Sequence, residues 1–152
     1  MSVISNSAQS GASDSPNPRA AIDEASKVGE DFVRLYYKTI EQRPHRVYLL
    51  YLDSAVVIWD GNPHVGTPVV QKLFEDLPSL TFNVVSMDAH PLSNIAVGQQ
   101  KSFIINVGGS YRISGSGSKG FTQNFVVTAE GGKWKVASDV FRSQISPNQA
   151  VI

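Results

Sequence analysis

The chain has 152 residues, the length of one domain rather than two, and a chain of this size buries roughly 68–70% of its unfolded surface. It contains no cysteine, which excludes disulfides, cysteine-based metal sites and thiol nucleophiles. Thirteen Lys and Arg balance thirteen Asp and Glu, which excludes the basic surplus of a free-standing nucleic-acid binder and polybasic membrane attachment. Charged residues make up only 17%, so part of the surface is expected to be covered by something other than water. The first 19 residues lack the apolar stretch of a secretory signal, no 18-residue apolar run occurs, and there is no Asn-X-Ser/Thr acceptor. The chain reads as intracellular.

Residues 1–17 are low in complexity, with Ser2, Ser5, Ser7, Ser10, Ser13 and Ser15, and read as a disordered tail. The folded domain is expected over 18–146, with 147–152 as a flexible C-terminus. Asn17-Pro18 is an N-cap residue followed by proline at the first helical position. Ile22, Ala25, Val28, Phe32, Leu35, Tyr36, Thr39 and Ile40 then recur at helical spacing until Pro44. A shorter helix is expected through Val47, Leu50 and Tyr51, with Asp53 capping its end. Ala55–Trp59 is a β-branched run closing on the turn cluster Asp60-Gly61-Asn62-Pro63. Thr67-Pro68 opens a third helix, with Val69, Val70, Leu73, Phe74 and Leu77 inside and Pro78 ending it.

The second half reads as strands: Thr81–Ala89, Lys101–Val107 extending to Ile113, Phe121–Ala129 and Trp134–Phe141. Helices first and antiparallel-capable strands afterwards make the fold class α+β. The register of the last hairpin, around Gly131-Gly132, has two solutions. A tight two-residue turn puts Phe121, Phe125, Val127, Trp134, Val136, Val140 and Arg142 on one face. A three-residue loop flips one strand, so that Phe121, Phe125, Val127, Ala137 and Phe141 face the helices. Asn124, Val126, Thr128, Trp134, Val136, Ser138, Val140 and Arg142 then lie outside. The residues alone leave both open.

Gly115-Ser-Gly117-Ser-Lys-Gly120 matches the letters of a dinucleotide fingerprint, but a strand follows it where the fingerprint needs a helix. It reads as a loop. His45, His64 and His90 sit beside prolines in turns without ligand spacing, so no metal or other cofactor is expected. Asp53, Asp139, Tyr36, Tyr48 and Tyr51 are candidates for an acid–base cavity, against a plain structural role for each.

Several segments together resemble the nuclear transport factor 2 family. They are Phe32-Val33-Arg34-Leu35-Tyr36-Tyr37, Tyr51–Ala55 leading into Trp59-Asp60-Gly61-Asn62, and Leu73–Pro78. Phe121–Phe125 and Trp134–Arg142 complete the set, so the likeness runs from about Ile22 to Arg142. It is greatest to the family members that form the small subunit of the mRNA export receptor. The resemblance implies a cone-shaped α+β fold, a strongly bent and mainly antiparallel sheet on three helices. It implies a non-catalytic adaptor that heterodimerises through its outer sheet face with a large TAP-type mRNA export receptor. It further implies passage through the nuclear pore on the FG repeats of nucleoporins, shuttling between nucleus and cytoplasm, and RNA met indirectly or weakly. The outer-face dimer favours the three-residue loop. The implied interface is then Arg142, Val140, Val136, Ser138, Val126, Asn124, Thr128, Ile104 and Asn106, with Arg142 reaching a carboxylate of the partner. Two alternatives share the fold. A homodimeric import factor for the GDP form of Ran would need acids where Ser114–Gly120 has Lys119, and an isomerase or dehydratase would need convergent acid–base groups in the cone.

Overall fold

The computed structural model describes residues 17–92 and 101–144. The expected tails, and most of the connection following Pro91, lie outside the described residues. Helix α1 (Pro18–Gln42) starts where Asn17 Oδ1 accepts from the backbone N–H of Arg19 at 3.0 Å and of Ala20 at 3.3 Å. It buries Ala25, Gly29, Phe32, Val33, Tyr36, Tyr37 and Ile40. Ile22 and Leu35, expected in that stripe, are 53% and 50% exposed. Pro44 starts a 3-10 helix (Pro44–Leu50) rather than an α-helix. Tyr51 and Asp53 already belong to strand β1 (Tyr51–Trp59), so Asp53 caps no helix end. Its carboxylate instead accepts from Thr67 Oγ1 at 3.1 Å, at the start of α2 (Thr67–Asp76). Between them lies β2 (Asn62–Val65), a strand the proline at position 63 concealed.

The remaining strands are β3 (Leu80–Leu92), β4 (Ser102–Ile113), β5 (Ser118–Glu130) and β6 (Lys133–Ser143). The six form one sheet in the order β2-β1-β6-β5-β4-β3. Only β1 and β6 run parallel; every other pair is antiparallel. The helices cover one face, where an aromatic series fills the core. Trp59 stacks on Phe141 at 3.9 Å, Phe141 on Phe121 at 5.5 Å, and Phe125 meets Phe32 and Tyr36 edge-on.

The last hairpin combines the two expected registers. Glu130 pairs with Lys133 across a two-residue turn whose glycines have φ of 58° and 76°, values a type I′ turn requires. The register then slips: Val127 opposes Val136, but Val126 opposes Ser138, leaving Ala137 as the extra residue of a bulge. Val136 and Trp134, on the turn side of the bulge, face the helices, and Val136 is completely buried. Val136 therefore leaves the outer-face set. Beyond the bulge Asp139 and Phe141 point inward, and Ser138, Val140 and Arg142 outward. Thr128 leaves the exposed set too. It is buried, and its hydroxyl accepts from Ser102 Oγ at 3.0 Å and donates to the Lys101 carbonyl at 3.3 Å.

A second irregularity separates Val84 from Ser86 in β3, opposite Gly108 and Gly109. A Cβ on Gly109 would collide with the Asn83 carbonyl oxygen, which is backbone and has no rotamer to move. Gly109→Ala is expected to cost about 2–3 kcal/mol, lowering the thermal unfolding midpoint by roughly 5–10 °C. An unchanged midpoint would show that β3 shifts freely.

Candidate functional site

The outer face of the sheet is built from cross-strand rows. One runs Val65, Val56, Ser138, Val126, Ile104, His90 from β2 to β3. The next runs Pro63, Ile58, Val140, Asn124, Asn106, Asp88. From β2 to β4 neither row contains a charge, and among the described residues no helix lies over it. Val56 is 38% and Val65 59% exposed; Ile58, Val140, Val126 and Ile104 are partly exposed. A continuous band of aliphatic residues with a central Asn106–Asn124 pair results. Charges appear at its margins, Asp88 on β3 and Arg142 on β6, with His90 also on β3.

Of the expected interface residues, Arg142, Val140, Ser138, Val126, Asn124, Ile104 and Asn106 share this face. Val56, Ile58 and Val65 were missed. Their β-branched alternation was visible, but the parallel pairing of β1 with β6 that brings them beside Ser138 and Val140 had no sequence signal. Arg142 is exposed, lies opposite Thr122, and forms no ion pair among the described residues. Arg142 also lines a cavity of about 490 Å³ shared with Trp59, Asp60, Tyr111 and Lys119. The Asp60 carboxylate there is already engaged, accepting from Ser143 N at 2.7 Å and Ser143 Oγ at 3.0 Å.

The acid–base candidates separate. Tyr48 packs at the core edge and Asp53 holds Thr67, whereas Tyr36, Tyr51 and Asp139 meet in one buried network. Tyr51 Oη donates to Asp139 Oδ2 at 2.5 Å and is 2.9 Å from Tyr36 Oη. Gln123, which sequence reading missed, donates through Nε2 to Asp139 Oδ1 at 2.8 Å and to Tyr36 Oη at 3.2 Å. Tyr37 Oη donates to Gln123 Oε1 at 2.6 Å. Burial raises the Asp139 pKa from 3.8 to about 6 despite the opposing hydrogen bonds from Tyr51, Gln123 and Tyr36. The three tyrosines are raised well above the usual phenol value, again chiefly by burial. Both carboxylate oxygens of Asp139 are occupied by protein donors, and none of the five residues lines the cavity beside Arg142. The arrangement is a buried polar core.

His45, His64 and His90 lie on three separate elements. Of the expected loop Gly115–Gly120, residues 115–117 lie in the β4–β5 connection, whereas Ser118, Lys119 and Gly120 already pair with β4 as the start of β5, so a strand and no helix follows the glycines.

The sequence and fold have clear relatives. The chain is 36% identical over 132 residues to NTF2-related export protein 2 of Mus musculus, covering 84% of this chain and 93% of that protein. Among solved structures, nuclear transport factor 2 from Cryptosporidium parvum superposes with a TM-score of 0.72 at 23% identity, over 80% of this chain and 95% of that one. A chain of the C. albicans Mtr2–Mex67 M domain complex superposes at 0.67 and 15% identity, over 84% and 99%. At these identities the structural likenesses speak for the fold. The profile of the nuclear transport factor 2 (NTF2) domain matches residues 28–143, and the chain belongs to that family.

Proposed function

We propose that this chain is a non-catalytic adaptor that pairs one-to-one with a large mRNA export receptor carrying a domain of the same fold. In this reading the complex supports export of mRNA through the nuclear pore and moves between nucleus and cytoplasm. FG-repeat nucleoporins are met by the heterodimer, and RNA only indirectly. The relatives named as export proteins support the role, and the uncharged outer band with Arg142 at its margin carries it. Exposed apolar surface of this continuity marks an interface. A two-fold homodimer would have to offer Arg142 a carboxylate from the same face. Asp139 points inward, Asp60 is engaged by Ser143, and Asp88 lies on the far edge strand. A different subunit meets the requirement more simply.

The same geometry disfavours the alternatives. Import of Ran-GDP would use a free acid at Asp60, whereas its two oxygens are taken and Lys119 shares the rim. Isomerase or dehydratase chemistry would need Asp139 open to a substrate, and it is sealed in the core. The test is expression with and without the large subunit, followed by size exclusion with light scattering. Alone, the chain is expected to self-associate; co-expressed, it is expected as a 1:1 complex. A stable, dispersed monomer at high concentration would sink the reading.

A further inference from the structure

A second surface lies on the helix side of the molecule, away from the outer band. A groove of about 680 Å³ opens between α1, the 3-10 helix and the β5–β6 turn. Its floor is apolar: Phe32, Leu35, Leu49 and Trp134. Leu35 and Leu49 are 50% and 42% exposed, which gains nothing for folding because neither belongs to the buried core. Its rim is cationic. Arg43 follows α1, Arg46 sits on the 3-10 helix and Lys133 opens β6, and none forms an ion pair among the described residues. Lys135 spans the groove wall by donating from Nζ to the Leu49 carbonyl at 2.8 Å. Asp31 also reaches the rim, but Lys27 at 3.3 Å and Arg34 at 3.4 Å already share its carboxylate. A chain of zero net charge has thus gathered a local positive excess around exposed leucines.

We propose that this groove docks a short acidic segment of another protein, which inserts one bulky apolar side chain between Leu35 and Leu49. Charge complementarity sets the flanking residues as Asp or Glu, and the floor sets the anchor. Single-stranded nucleic acid fits less well. Stacking needs open aromatic faces, and Trp134 is half-buried against Phe103 at 5.1 Å, while the exposed floor is aliphatic.

The probe is a phage library of random 12-residue peptides panned on the full chain. The enriched peptides are then measured by fluorescence anisotropy beside a labelled 12-mer of deoxythymidine. Enrichment of an apolar residue flanked by acids is expected. Leu35→Glu should weaken such a peptide at least tenfold, and Arg46→Glu about fivefold, the equivalent of one well-placed ion pair. Arg142→Glu, on the other side of the sheet, should leave it unchanged, which separates this groove from the subunit interface. Both groove positions are exposed, and unchanged thermal unfolding of the two variants would exclude a folding artefact. The proposal is overturned by enriched peptides without acids, by affinity that survives Leu35→Glu, by no enrichment, or by tighter groove binding of the oligonucleotide.

Discussion

Arg142→Glu is expected to abolish pairing with the proposed export-receptor subunit, and Arg142→Ala to weaken it by about 2–5 kcal/mol, roughly thirtyfold to several-thousandfold. The side chain leaves β6 beside Val140 and opposite Thr122, neither of which can neutralise a guanidinium. Covering the outer band would strip water from this cation, and an unpaired buried charge costs several kcal/mol. The partner therefore has to supply a carboxylate, and the planar fork of arginine grips one through two parallel hydrogen bonds. Glutamate at the same position would face that carboxylate with like charge. Neither substitution touches the core, since Arg142 is exposed in the free subunit, so its unfolding should be unaffected. An arginine left solvated at the strand end would contribute roughly 0–1 kcal/mol instead. Titration calorimetry separates the two cases: an affinity change under about threefold for Arg142→Glu returns the residue to the solvated surface.

How much of this was legible before the structure depends on whether the cause is local. Asn17-Pro18 fixes one helix start through the Asn17 side-chain cap and the preset φ of proline, and Thr67-Pro68 fixes another through the proline alone, both readable from neighbours in the chain. The four long strands follow from alternation. The faces of β6 were not readable, because the two-residue turn sets one register and the bulge at Ala137 overrides it. That bulge satisfies distant partners: Asp139 meets Tyr51 and Gln123, and Phe141 meets Trp59. The same distance effect hid β1 beside β6, and with it Val56, Ile58 and Val65. Periodicity placed Leu35 in the α1 stripe but could not find the stripe's edge, so the basic groove was invisible too. Of the five acid–base candidates the three that do meet are Tyr36, Tyr51 and Asp139. The donor that binds Tyr36 to Asp139, Gln123, carries no charge and so is not among the acid–base candidates, although its segment carries the family resemblance.

The buried network predicts an inverted pH dependence of stability. Asp139 has a folded-state pKa of about 6 against 3.8 ordinarily, because burial penalises its charged form. Below about pH 4 the carboxyl is protonated whether the chain is folded or not, and its contribution is fully present. As pH rises toward 6 the unfolded chain releases the proton while the folded chain keeps it, so stability falls. Above the folded-state value both forms are ionised and the loss levels off, at about 3 kcal/mol. Asp139→Asn has no proton to lose and should remove this slope. Its amide can donate to Tyr51 Oη, which can turn to Tyr36, so at pH 7 the variant should lie within about 1 kcal/mol of the native chain. Asp139→Ala should behave differently. It leaves the Tyr51 hydroxyl and one Gln123 N–H without their acceptor, and each buried orphan costs about 1–3 kcal/mol. Urea unfolding from pH 4 to 7.5, followed by the fluorescence of Trp59 and Trp134, gives the difference between native and variant curves and cancels the other titrating groups. On going from pH 7 to pH 4 the native advantage should grow by most of that loss of about 3 kcal/mol over both variants, with Asp139→Ala lying below Asp139→Asn by the orphan cost throughout. Native and Asp139→Asn curves that stay parallel would mean that Asp139 ionises in the core as easily as in water, and that its hydrogen bonds from Tyr51 and Gln123 offset its burial.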